Sequence, residues 1–294
     1  MFYCNICPRK CNAQRRILDG DGFCGCGEKM TISKYGLHFW EEPCISGSRG
    51  SGTIFFSGCA MDCVYCQNRD ISKAVCGKSI SEDKLVSIMD ELKALGAHNI
   101  NFVTPTHYAK NISSVLSRSK PALPVVYNCG GYELIDTLKT LSGKVDIYLP
   151  DFKYSSNALA LKYSGISDYF DVVLPALFEM YYQVGDAHFD DDDIMTRGLI
   201  IRHLILPGHL RNTFDFLDIF CEHFRDKGVY LSLMAQYTPS VSLPAPLNRR
   251  VSAREYATAV RYARECGITH AFIQDLSSAE SAYIPEFDKS EIGE

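Results

Sequence analysis

The chain has no apolar run of about 18 residues, so no membrane-spanning helix and no membrane partner are expected. Positive charge is in short supply. Thirty Lys and Arg against 35 Asp and Glu leave a net charge of −5, which provides no broad basic field for a phosphate backbone. The 17 tyrosines are not interleaved with basic residues in a base-stacking pattern, so no nucleic-acid partner is expected. No apolar signal region precedes Cys4, and a cytoplasmic chain is expected. No G-x-G-x-x-G opens a helix after a strand, which disfavours a dinucleotide fold. Disorder is excluded over most of the length, because 46% hydrophobic residues supply enough surface to offset chain entropy.

Cysteine is the exception to this scarcity. Thirteen cysteines cannot pair completely, and in a reducing compartment clustered thiols read as metal ligands before disulfides. Eight of the thirteen fall into two short-spaced sets. Cys44, Cys76, Cys129, Cys221 and Cys266 are scattered singly and read as small buried hydrophobes.

Residues 1–50 are rich in Cys, Gly and Arg and poor in apolar periodicity, as expected of a small metal-stapled lobe with a Gly-rich lead-in. Residues 51–294 alternate short apolar runs with amphipathic segments. Strands are expected at Thr53–Ser57, Ile100–Val103, Val125–Asn128, Val145–Leu149, Leu199–Leu206 and Tyr230–Met234, with a further one at His270–Ile273. Helices are expected from Ser81 to Gly96 and over Glu133–Leu141, Ser155–Tyr163, Tyr169–Val184 and Asn212–Lys227. A last one, Tyr256–Cys266, is opened by a Ser252/Glu255 capping box. This alternation predicts an α/β fold: a partial (β/α)6, TIM-like barrel of parallel strands with outer helices.

In such a barrel the chemistry sits at the C-terminal ends of the strands. The first strand runs into Cys59, Cys63 and Cys66, a C-x3-C-x2-C loop. A structural zinc site would want a fourth ligand, whereas three thiolates on a four-iron cluster leave one iron open. Later strands run into Thr104, Thr106 and His107, then Asn128, then Asp151 and Lys153, then Arg202, then Gln236. Polar clusters at successive strand ends point to one catalytic face. The second thiol set is Cys4, Cys7 and Cys11, with Cys24 and Cys26 after a turn. Four of these five can close a second site, with zinc and iron–sulfur equally open.

The C-x3-C-x2-C loop, with Tyr65 before its last cysteine, resembles the signature of the radical S-adenosylmethionine superfamily. The stretches Ser51–Cys59 and Cys66–Asn68 around it are similar to the pyruvate formate-lyase activating enzyme family, in its PflX-type branch. Asn101–His107, Val126–Asn128, Asp146–Tyr154, Ile201–Leu204 and Met234–Tyr237 extend the likeness over nearly the whole chain. The resemblance implies an oxidoreductase that cleaves S-adenosylmethionine at a [4Fe–4S] cluster on Cys59, Cys63 and Cys66 and abstracts hydrogen through a 5′-deoxyadenosyl radical. The substrate would be a glycine of a glycyl-radical enzyme, or else another peptide or a small molecule. A flavodoxin- or ferredoxin-type protein would donate the electron, under anaerobic conditions.

The resemblance further implies that Lys153 and Arg202 meet the methionine carboxylate and that Tyr65 lies over the adenine. Asn128 and Asp151 would hold the methionine moiety or a nearby cation, and Gln236 would meet the adenosine or the substrate. Thr104, Thr106 and His107 stand where many members carry Gly-Gly-Glu. A non-catalytic metal-binding protein is the remote alternative.

Asp190–Asp193 beside His188 reads as a solvated loop. His38, Trp40, Glu41 and Glu42 precede the Gly-rich lead-in; they read as core packing and surface, with the lone Trp and the paired acids facing the active-site mouth as the alternative. His98, His223 and His270 read as ordinary surface histidines.

Overall fold

The computed structural model describes residues 2–72, 75–239 and 243–274. The strands are β1 (Phe2–Cys4), β2 (Ala13–Arg15), β3 (Met30–His38), β4 (Ser51–Phe56), β5 (Lys78–Ile80), β6 (Ile100–Val103), β7 (Val125–Cys129), β8 (Ile147–Pro150), β9 (His188–Phe189), β10 (Met195–Leu204), β11 (Tyr230–Met234) and β12 (Ala271–Ile273). The helices are α1 (Pro43–Ser46), α2 (Arg69–Ser72), α3 (Glu82–Ala94), α4 (Ala109–Arg118), α5 (Ile135–Lys139), α6 (Asn157–Ser164), α7 (Tyr169–Val184), α8 (Leu210–His223) and α9 (Ala253–Glu265).

The main sheet runs β12-β11-β10-β8-β7-β6-β4-β3-β5, with β9 beside β10. From β12 to β4 every pairing on this path is parallel. β3 and β5 add an antiparallel edge next to β4. Among the described residues the two edge strands do not meet, so the barrel is open. β3 was not expected, because its Met-Thr-Ile-Ser-Lys-Tyr-Gly-Leu-His run mixes polar and apolar residues without strict alternation. Its pairing brings residues 30–38 into the main sheet beside β4.

Strand alternation sorts the side chains onto two faces. Tyr127, Tyr148, Ile201 and Leu231 point outward into the core beneath the helices. Val126, Ile147, Leu149 and Ile200 point inward, against Cys44 and Ile45 of α1. The open barrel is thus plugged from within by the 41–46 segment rather than by more strands. Two residues further along the same inward rows stand Asn128, Asp151 and Arg202.

Helix starts follow their expected signals. Ser81 accepts from the Lys84 N–H at the start of α3, and Ser252 and Glu255 complete the capping box of α9. α4 lacked such a signal. It continues out of the Thr106–Tyr108 3-10 turn with no side-chain cap; Ser117 bonds back to the Ser113 carbonyl within it, and the Ser113 hydroxyl donates across to the Thr140 carbonyl after α5.

Candidate functional site

Cys59, Cys63 and Cys66 line a cavity of about 230 Å³ at the C-terminal ends of the parallel strands. Each sulfur has a hydrogen-bond donor. The Met61 N–H donates to Cys59 Sγ (3.3 Å), the Ser164 hydroxyl to Cys63 Sγ (3.0 Å) and the Ser72 hydroxyl to Cys66 Sγ (3.6 Å). Donors aimed at sulfur suit thiolates that carry metal-bound negative charge. Burial pushes the free Cys59 thiol up to about 12, with the neighbouring Cys63 and Cys66 adding to it. Among the described residues no three His, Cys, Asp or Glu side chains come together to chelate a single ion. A [4Fe–4S] cluster takes each thiolate on a different iron, so its ligands stand farther apart than those of one zinc ion. The donor set, all sulfur and facing one cavity, fits a cluster.

The strand-end residues share this cavity. Tyr65, Thr104 and Thr106 line it, as do Asn128, Asp151, Lys153, Arg202 and Gln236. His107 does not. It is buried, and its Nε2 meets the Ser57 carbonyl (2.8 Å) at the root of the cysteine loop. Tyr65 is held edge-on by Tyr154, Tyr163 and Tyr237.

Arg202 organises the floor. Its Nε donates to Asp151 (2.8 Å), its Nη1 to Glu41 (2.9 Å) and its Nη2 to the Asn128 amide oxygen (2.6 Å). The Asn128 and Asn101 amides both donate to Glu41 Oε1. The Lys153 ammonium donates to Asp151 (2.6 Å). Burial alone would push the Asp151 carboxyl up, but Arg202 and Lys153 outweigh it and hold it below the usual range. Burial raises Glu41 and Glu42, against the pull of Arg202.

Glu133 escaped the sequence reading as a site residue, and Glu41 enters it only as a second choice to core packing. Glu41 lies far from the strands in sequence, and only the plug brings it to Arg202. Glu133 reads as a helix start, yet it is buried in the cavity wall, where it accepts from Thr106 (2.5 Å) and Tyr127 (3.3 Å). Burial lifts its carboxyl to about 7, with the Thr106 and Tyr127 hydroxyls opposing the rise. His38 and Trp40 also line the cavity, Trp40 with an exposed ring.

The N-terminal thiols lie outside the cavity. Cys4, Cys7 and Cys26 are buried, Cys24 is half-buried and Cys11 is exposed. Arg15 donates to Cys24 Sγ (3.8 Å), and Cys26 donates to the Ser57 carbonyl (3.3 Å). The hydrogen bond from Cys26 lowers the Cys24 thiol to about 5 against its burial, and His107 and Arg15 assist. Cys11 turns to solvent beside Gly22, while Cys26 takes the inner position. The Asp190–Asp193 run is an exposed turn in which Asp190 caps the Asp192 and Ile194 N–H groups.

Residues 46–162 match the family model described as a 4Fe-4S single cluster domain. The fold is an α/β chain with a mostly parallel sheet, and the matched stretch spans the cysteine loop. The chain belongs to the same family as the uncharacterized protein MJ0674 of Methanocaldococcus jannaschii. It is 30% identical to that protein over 272 residues, which is 89% of this chain and 74% of the relative. Solved structures that resemble it include HydG, a maturase of the [FeFe]-hydrogenase (TM-score 0.49, 15% identity, 76% of this chain and 52% of that one). Methylornithine synthase PylB (0.47, 16%, 70% and 59%) and Streptococcus suis SuiB bound to its precursor peptide SuiA (0.46, 12%, 71% and 45%) are others. The chain spans about half the length of these solved proteins. No helix among the described residues is long and apolar enough to cross a membrane.

Proposed function

We propose that the chain is a radical S-adenosylmethionine enzyme whose cavity holds a [4Fe–4S] cluster on Cys59, Cys63 and Cys66 with the cofactor beside it. When bound, these groups supply a 5′-deoxyadenosyl radical that removes a hydrogen atom from substrate. The observation that carries this reading is the sharing of one cavity by the three thiols and the charged strand-end residues.

S-adenosylmethionine presents a carboxylate, an ammonium and a sulfonium. Lys153 and Arg202 supply cations for the first. Thr104, Thr106 and Glu133 supply acceptors for the second. Asn128 and Asp151 orient the two cations, and Tyr65 and Gln236 stand for the adenosine. A reductant of flavodoxin or ferredoxin type delivers one electron from outside. Trp40 at the mouth stands where substrate enters. The substrate implied by the cysteine-loop likeness is a glycine on a protein loop, and another peptide or a small molecule is the alternative.

The test uses anaerobically reconstituted, dithionite-reduced protein with S-adenosylmethionine, beside a variant with Cys59, Cys63 and Cys66 changed to Ala. Iron, sulfide and zinc are counted on both. 5′-Deoxyadenosine from the native protein alone is the expected result. A loaded cluster that forms no product, with or without glycyl-radical proteins and cell extract, would defeat the reading. Deuterium transfer from labelled candidates then separates the glycyl-radical substrate from the others.

A further inference from the structure

Arg9 of the N-terminal lobe grips the cysteine loop. Arg9 Nε donates to the Ala60 carbonyl (2.8 Å) and its Nη2 to that of Met61 (3.3 Å). The same guanidinium donates to the Ser164 (3.0 Å) and Gly165 (2.9 Å) carbonyls at the end of α6. The Phe23 ring covers it, 3.8 Å from the guanidinium carbon. One cation therefore ties the two residues that follow Cys59 to the last turn of α6. That turn carries Ser164, whose hydroxyl donates to Cys63 Sγ (3.0 Å) and meets the Tyr154 hydroxyl (2.6 Å). Both side chains are buried. The Val64 N–H to the Tyr163 carbonyl (2.9 Å) adds a backbone tie between loop and helix end.

We propose that Arg9 and Ser164 are positioning residues for the cluster. Arg9 sets the spacing of Cys59 and Cys63 and so retains the cluster, and Ser164 tunes its potential through the Cys63 sulfur. The inference rests on the cluster reading above. A hydrogen bond to a ligating sulfur withdraws electron density and favours the more negative, reduced cluster. Tyr154 orients the Ser164 hydroxyl. A helix end that only fills space would leave the potential where it was.

The experiment compares reconstituted wild type with Ser164→Ala, Ser164→Thr, Tyr154→Phe, Arg9→Ala and Arg9→Lys. Iron and sulfide per chain are measured after desalting, and the midpoint potential by EPR-monitored redox titration. Ser164→Ala is expected to keep its iron while reduction becomes about tenfold less favourable, a fall of about 59 mV for one electron. Ser164→Thr restores the native value, and Tyr154→Phe moves it the same way by less. Arg9→Ala is expected to lose at least about half its iron, and Arg9→Lys to recover part of it, since an ammonium cannot span four carbonyls in a fork. An unmoved potential in iron-loaded Ser164→Ala and Tyr154→Phe, or full iron retention by Arg9→Ala, overturns the proposal. Wild type without iron overturns the cluster reading itself.

Discussion

Glu133 shows how a single buried carboxyl becomes a measurable property. Its folded value is about 7 against an ordinary 4.5, because burial disfavours the charge more than two hydroxyl donors favour it. Between those values the folded chain holds a proton that the unfolded chain releases. Stability contributed at this position therefore falls as pH rises from about 4.5 to about 7 and then levels off, by about 3 kcal/mol in all. Urea unfolding at several pH values should show this slope in wild type and a shallower one in Glu133→Gln. Equal slopes would mean that the carboxyl is not buried as described. Arg202 makes the complementary case. Three carboxylates, Glu41, Glu42 and Asp151, lie within ion-pair range of it. Arg202→Met should cost about 3–5 kcal/mol at pH 7.5, because it strands buried charge. The loss should shrink as pH falls, because Glu41 and Glu42, raised by burial, take up protons more readily once Arg202 no longer opposes the rise. A pH-independent loss would instead assign the effect to packing.

At the scale of elements, the contact between lobe and cysteine loop rests on a glycine. Gly58 has φ +84°, and a Cβ there would stand 2.3 Å from Cys26 Sγ and 2.9 Å from the Cys24 carbonyl. Gly58→Ala should push the lobe off the loop, with at least about 2 kcal/mol lost from positive-φ strain and displaced packing together. Reconstituted iron content and the urea midpoint both report it, and wild-type values for both would show the lobe to be compliant there. Helix starts behave more locally. Ser252→Ala removes the α9 cap and should cost about 1 kcal/mol without altering iron content. Such caps are visible in sequence because they are made within four residues. The lobe contact is not, because Cys26 and Gly58 meet only after β3 has folded back on β4.

For the whole molecule, the open sheet sets a gradient of protection. β6, β7 and β8 are buried on both faces and paired on both sides, whereas β12 is an edge among the described residues and is partly exposed. Amide exchange should be slowest in the former and fastest in β12, and a uniform profile would indicate a closed barrel in solution. The sequence by itself determined the strand–helix alternation, the capped helices and the cysteine loop, since each is written in local periodicity or spacing. It also placed polar residues at successive strand ends, because a parallel sheet turns every such end to one side. Tertiary structure alone decided the rest. It moved His107 from the cavity to the root of the loop. It brought Glu41 and Glu133 in, and turned Cys11 out and Cys26 inward. These positions depend on β3 and on the plug at residues 41–46, whose register is set by pairing and burial between segments far apart in the chain, and no short stretch of sequence encodes such long-range contacts.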